Sequence, residues 1–201
     1  LSLSLSLSLS LSLSRSLNER LFAELLKVLS TPPMERTEWE LQRLLLWTEN
    51  TKAENSHERG FPFITGLPTQ DESDVRIEVC RCMTLITIEA GKKIMKQGDK
   101  GECMYIIMKG EVEVLVEEKG AERHLSFMGL GSSFGDIAIM ADDPEEQIRT
   151  ATVRAHEHCV LGVLSRDDYR RHILRMQQEA KAEVVRLTST VSLATHFLMH
   201  I

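Results

Sequence analysis

One stretch of the chain gathers groups able to hold an anion: Gly129-Leu-Gly131-Ser-Ser-Phe134-Gly135-Asp136-Ile137-Ala138, followed later by Arg149-Thr150-Ala151. The glycines permit tight turns and a close approach of backbone to a ligand. The segment from Gly135 to Met140 has room for one short helical turn, whose first N–H groups would lack partners and suit an anion. Arg149 would add a permanently charged planar fork over the same spot. Amides plus one Arg match a singly charged phosphate. A carboxylate at Asp136 would repel that phosphate, but it could accept a hydrogen bond from a neighbouring sugar hydroxyl. Phosphate and sugar hydroxyl together point to a nucleotide. The plainer alternatives stay open here: Arg149 as a surface strand residue paired with a nearby acid, and Asp136 as a helix N-cap.

No other chemistry stands out. Cys80-x-Cys82 lacks zinc-knuckle spacing, and His156-x-His158 has no third ligand to complete a metal site. No Ser-His-Asp, Cys-His or paired-carboxylate arrangement suggests an enzyme.

The elements that must position these residues fall into two regimes. Thr37 and Glu40 make a capping box ahead of Leu41, Leu44 and Leu45, and Ser16 with Glu19 opens an earlier helix through Leu21, Leu25 and Leu29. Pro32 and Pro33 end that first helix. A third box, Thr69 with Glu72, leads a helix with Val75, Val79 and Met83 on one face. From Thr84 the period shortens: LITIEA, CMYIIMKG, EVEVLVEE, RHLSFMG, TATVRA and CVLGVL are strand-like runs separated by Gly-containing turns. Ser165 with Asp168 then starts a helix with Tyr169, Ile173 and Met176 on one face, extending toward Leu187. Helices, then many short strands, then a helix, is an α+β order.

Composition limits the functional classes. Among 201 residues, 24 Lys and Arg stand against 30 Asp and Glu, a net charge of −6. That balance provides no dense basic face for nucleic acid or an anionic membrane. Residues 1–14 are seven Leu-Ser dipeptides, read as low-complexity sequence without fold or function. Four cysteines and no signal-type start suggest reduced thiols in a cytoplasmic protein. The last residues carry no stop signal, which leaves open whether the chain is a fragment of something longer.

The run Gly129-x-Gly131-x-x-Phe134-Gly135-Asp136-Ile137-Ala138, with Arg149-Thr-Ala-Thr-Val153 and the earlier Gln97-to-Val116 stretch, resembles the cyclic nucleotide-binding domain family, of the catabolite activator protein and protein kinase A regulatory subunit type. The similarity spans roughly residues 75–175. It implies an eight-stranded antiparallel β-roll (a jelly roll) with N-terminal helices and a C-terminal lid helix. The expected division is 1–14 repeat, 15–68 helical lead-in, 69–187 nucleotide-binding-like domain and 188–201 tail. The resemblance implies a regulatory, non-enzymatic module that binds cAMP or cGMP and moves its C-terminal helix. Its ligand residues would be Phe134, Gly135, Asp136, Ile137, Ala138, Arg149, Thr150 and Ala151, with no metal or other cofactor. A protein effector or further domains would be the partners, with no nucleic acid and no membrane.

Two departures from the family pattern bear on binding. The family usually has Glu where Asp136 stands, so the carboxylate reaches less far. The family's Pro directly precedes its Arg, whereas Glu145, Glu146, Gln147 and Ile148 separate Pro144 from Arg149. With Asp142 and Asp143, that insertion brings four carboxylates near the expected phosphate. It either bulges outward and leaves Arg149 in register, or occludes the cassette. In the latter case the fold would serve as a scaffold that binds no nucleotide.

Overall fold

A computed structural model of the chain describes residues 19–51, 60–67 and 74–174. The Leu-Ser repeat, Ser16, the Thr69/Glu72 box and everything past 174, including Met176 and Leu187, lie outside the described residues.

Residues 19–30 are helical (α1) and stop ahead of Pro32, with a 3-10 turn over Pro33–Glu35. α2 (Glu38–Asn50) opens on the expected capping box: the Thr37 hydroxyl accepts from the Glu40 N–H while the Glu40 carboxylate accepts from the Thr37 N–H. α3 (Pro62–Thr65) follows, then α4 (Val75–Cys82). The cap of α4 is Asp74, whose carboxylate accepts from the Arg76 N–H.

The strands are β1 (Thr84–Ile88), β2 (Lys93–Met95), β3 (Cys103–Lys109), β4 (Val112–Glu118), β5 (Ala121–Met128), β6 (Ser133–Phe134), β7 (Thr152–Ala155) and β8 (Cys159–Ser165). They form two four-stranded sheets, β1-β8-β3-β6 and β2-β7-β4-β5, in which every pairing is antiparallel. This is the expected α+β arrangement with a β-roll. A short helix, α5 (Asp136–Met140), sits between β6 and β7. After β8 the chain turns into α6 (Arg166–Tyr169), continued by a π-helical turn over Arg170–Leu174.

β3 shows why the two layers hold together. Its alternate residues face opposite sides. Ile107 packs between the sheets with Val112, Phe134, Val153, Cys159 and Leu161. Met104, Ile106 and Met108 face outward into a second core with Leu25, Leu29, Leu41, Leu44, Phe61, Val79, Met83, Tyr169 and Ile173. Because both faces of β3 are buried, its sequence reads as a continuous apolar run rather than an alternation. The helical lead-in and α6 with its π turn therefore share one core on the outer face of one sheet.

Arg36 ties that helical layer together. It is 4% exposed and bonds to five carbonyls: Leu29, Thr31, Cys80, Arg81 and Met83. These lie at the ends of α1 and α4, where carbonyls lack helical partners. Burial pulls its pKa down, partly offset by the neighbouring Cys80, Cys82 and Glu40.

Candidate functional site

Arg149 is also 4% exposed, but its surroundings differ from those of Arg36. Its Nη1 donates to the Gly135 carbonyl at 2.8 Å and its Nη2 to the Cys103 carbonyl at 2.7 Å. Its Cζ lies 5.9 Å from the centroid of the Tyr105 ring. That ring stacks in turn on Phe134, with centroids 5.1 Å apart. Burial, aided by Cys103, pushes the Tyr105 phenol up to about 12, so a neutral ring backs the guanidinium. No carboxylate lies within 4.0 Å of Arg149 among the described residues, and its Nε–H donates to none of them. The expectation of a surface Arg paired with an acid is thereby excluded. The guanidinium has no counter-charge, and donors beyond its two carbonyl bonds remain for solvent or a ligand.

Two glycines make room for it. Gly135 has φ +84°, and a Cβ there would stand 2.6 Å from Arg149 Nη1. A Cβ on Gly101 would stand 2.5 Å from the Ala138 Cβ and 3.0 Å from Arg149 Cζ. Gly129, by contrast, has open space around it and an ordinary φ, so its sequence position requires no glycine.

Gly135 is the N-cap of α5, and Asp136 is its first helical residue. Asp136 is therefore not the cap. Its half-buried carboxylate makes no hydrogen bond or ion pair with the described residues. It lies close enough to Tyr169 to help burial push that phenol's pKa up. Of the remaining expected site residues, Phe134 and Ala138 are buried, Ile137 and Thr150 are exposed and Ala151 is half-buried. Phe134 lies in the core between the sheets, supporting Tyr105 from below. Arg149, Gly135 and Ala138 are brought together, while Asp136 follows Gly135 on the first turn of α5 with its carboxylate near Tyr169.

The insertion bulges outward. Asp142, Asp143, Pro144, Glu145 and Glu146 are all exposed, and the turn is closed by the Glu146 N–H on the Asp143 carbonyl at 3.0 Å. Beyond it the backbone is pinned: Gly101 N–H to Gln147 O, Arg149 N–H to Asp99 O at 2.7 Å, and Gly98 N–H to Arg149 O. Those bonds keep Arg149 in register whatever the loop does. Exposed charges of this kind are screened over about 8–10 Å at ordinary salt.

Sequence reasoning did not anticipate Arg166. It donates to the Gly101 carbonyl and, at 2.9 Å, to the Ala138 carbonyl, joining the start of α6 to α5 and the β2–β3 loop. Arg170 adds a second tie, donating to the Ala141 carbonyl and pairing with the Asp142 carboxylate. The Ser165 cap was visible in the sequence, but the direction these two side chains take was not. A cleft of about 340 Å³ opens nearby, lined by Lys100, Glu102, Gln147, Ser165, Arg166 and Asp167. Gly135, Asp136 and Ala138 do not line it.

The family model described as "Cyclic nucleotide-binding domain" matches residues 85–175. A "cAMP-dependent protein kinase regulatory subunit" of Mucor circinelloides f. lusitanicus is 34% identical over 100 residues, covering 50% of this chain and 22% of that protein. The corresponding protein of Eremothecium gossypii is 31% identical over 133 residues, covering 64% of this chain and 27% of that protein. This chain thus spans about a quarter of the length of those relatives. Among solved structures, a mutant regulatory subunit of a cAMP-independent protein kinase A from Trypanosoma brucei, bound to cAMP in its A site, shares the fold. That likeness has a TM-score of 0.50 and 23% identity, covering 60% of this chain and 43% of that one. No helix among the described residues is long and apolar enough to cross a membrane.

Proposed function

We propose that this chain, whose residues 85–175 belong to the cyclic nucleotide-binding domain family, binds cAMP or cGMP as a regulatory module. The observation that carries the reading is the guanidinium of Arg149, held without a counter-ion against the N-cap residue of α5, with the unpartnered Asp136 the next residue along. A cyclic phosphate supplies one negative charge to the first group, and the ribose 2′-hydroxyl supplies a donor to the second. A free nucleoside would leave Arg149 unpaired, and a nucleoside triphosphate would bring more charge than one Arg neutralises.

The relatives are named as regulatory subunits of a cAMP-dependent kinase, which supports a module that senses nucleotide rather than one that transforms it. In this reading the effector is a kinase catalytic subunit or another domain of a longer chain. Arg166 and Arg170 couple the site to the C-terminal helix, because each bonds a carbonyl on or just after α5. A ligand that shifts α5 then shifts the helix root, provided it binds one arrangement better than the other.

Calorimetric titration of the full chain with cAMP and with cGMP tests the proposal. Saturable binding of one nucleotide per chain is expected. A folded sample that gives no heat at millimolar ligand would refute it and leave a non-binding scaffold as the reading.

A further inference from the structure

At the junction of α4 with the C-terminal helix, far along the chain from the cassette, Cys82, Asp168 and His172 bring one ligand atom each to within 4.8 Å of one another. No other such trio of His, Cys, Asp and Glu occurs among the described residues. The Cys82 Sγ lies 3.7 Å from the His172 Nε2. Tetrahedral zinc with bonds of about 2.3 Å to sulfur and about 2.0–2.1 Å to nitrogen separates those two donors by roughly 3.5 Å. The Asp168 carboxylate is already oriented, accepting from the Ser165 hydroxyl at 2.6 Å. Such a bracing contact is what second-sphere groups give a metal ligand. Asp168 and His172 come from one helix, in which the π turn Arg170–Leu174 follows directly on α6. Inserted π turns recur at functional positions in helices.

A cysteine beside a histidine and an aspartate also invites comparison with a nucleophile and its base. In such a triad the carboxylate orients the histidine, whereas here Asp168 is held by the Ser165 hydroxyl and its oxygen stands within 4.8 Å of both other donor atoms, an arrangement that favours a cation. Imidazole and thiolate exclude the hard ions calcium and magnesium, and the mixed N, O and S set suits a borderline divalent ion.

We propose that Cys82, Asp168 and His172 form a zinc-class metal site that clamps the root of the C-terminal helix to α4. Closing the trio around the ion takes side-chain movements of about 1 Å and leaves a fourth position for water. Binding releases the thiol proton to solvent, and the cation displaces Arg171, whose Nη1 lies 3.6 Å from Asp168. The test is run without nucleotide, so that metal binding is read separately from any ligand effect at α5.

The untagged, reduced full chain is titrated with Co²⁺ and followed by absorbance, then back-titrated with Zn²⁺. One equivalent should produce a thiolate-to-cobalt charge-transfer band with tetrahedral d–d bands, and zinc should abolish both. Cys82→Ser should lose the charge-transfer band and bind at least tenfold more weakly, and His172→Ala should weaken binding similarly. Cys159→Ala, at a free cysteine in the core between the sheets, should behave as wild type. No thiolate band in the wild type would overturn the proposal, as would a band that survives in Cys82→Ser.

Discussion

Replacing Arg149 by Met separates the site from the scaffold. Without ligand, the wild-type guanidinium gains two bonds to carbonyls, each contributing about 1.5–3 kcal/mol because the donor is charged. Against that stands a desolvation cost of several kcal/mol for a charge held 4% exposed with no counter-ion. The two nearly cancel, so Arg149→Met should change the stability of the unliganded chain by less than about 2 kcal/mol. With ligand the account is different. Two charge-assisted bonds to phosphate oxygens are lost, about 3–6 kcal/mol, which corresponds to roughly 10²- to 10⁴-fold in affinity. Arg36→Met is the control. It strands five carbonyls, three of them buried, and should cost at least about 3 kcal/mol while leaving the affinity of the folded fraction unchanged. Urea unfolding measures the first quantity and calorimetry with cAMP or cGMP the second. Nucleotide affinity within threefold of wild type in Arg149→Met would refute the reasoning. So would a loss of unliganded stability as large as that of Arg36→Met, because Arg149 would then be one more structural staple.

Gly101→Ala should weaken both stability and binding, since its Cβ meets the Ala138 Cβ at 2.5 Å and α5 must yield; overpacking of this kind costs about 1–3 kcal/mol, read from the urea midpoint. Asp136→Asn should weaken cAMP binding about tenfold but leave 2′-deoxy-cAMP nearly unaffected; equal losses for both ligands would remove the ribose contact from the account. Arg170→Ala frees Asp142 from the helix root and should raise amide exchange at the start of the C-terminal helix, with a stability change below about 1 kcal/mol because the pair is exposed. Alkaline stability should fall as well. The Cys80 thiol is pushed by burial from its usual 9.0 to about 12, so its contribution is intact below pH 9 and lost as pH rises toward that value. The slope should approach about 1.4 kcal/mol per pH unit and should flatten in Cys80→Ala.

The legible parts of the sequence were those with enough residues to show a period. Six strand-like runs correspond to β1, β3, β4, β5, β7 and β8. β2 and β6 went unread because three and two residues cannot display an alternation. α3 was equally silent, being four residues behind a polar stretch. The Thr37 box and the Ser165 cap were readable because capping is a local event. Arg36 was not, since five carbonyls from two separated helix ends come together only in the fold. Nor could the pattern decide between a buried Arg149 and one on the surface. That choice depends on Gly101 and Gly135, which vacate the space, and on Tyr105, which backs it. Cys82 likewise sits 90 residues from His172, and no spacing rule links them.

Of the two departures from the family pattern, the structure gives them unequal weight. The insertion places its charges in solvent, and Asp142 is engaged by Arg170. Backbone bonds to Gly98, Asp99 and Gly101 fix the returning strand at Gln147 and Arg149. Its length therefore falls on a surface turn, where extra residues add only a slowly growing closure entropy. Asp136 is different. It sits on the first turn of α5 with a shortened side chain and no partner among the described residues. No backbone constraint elsewhere compensates for a missing methylene at that position. Asp136→Glu, which lengthens the reach by one methylene, should consequently tighten nucleotide binding, whereas deleting 143–146 should not.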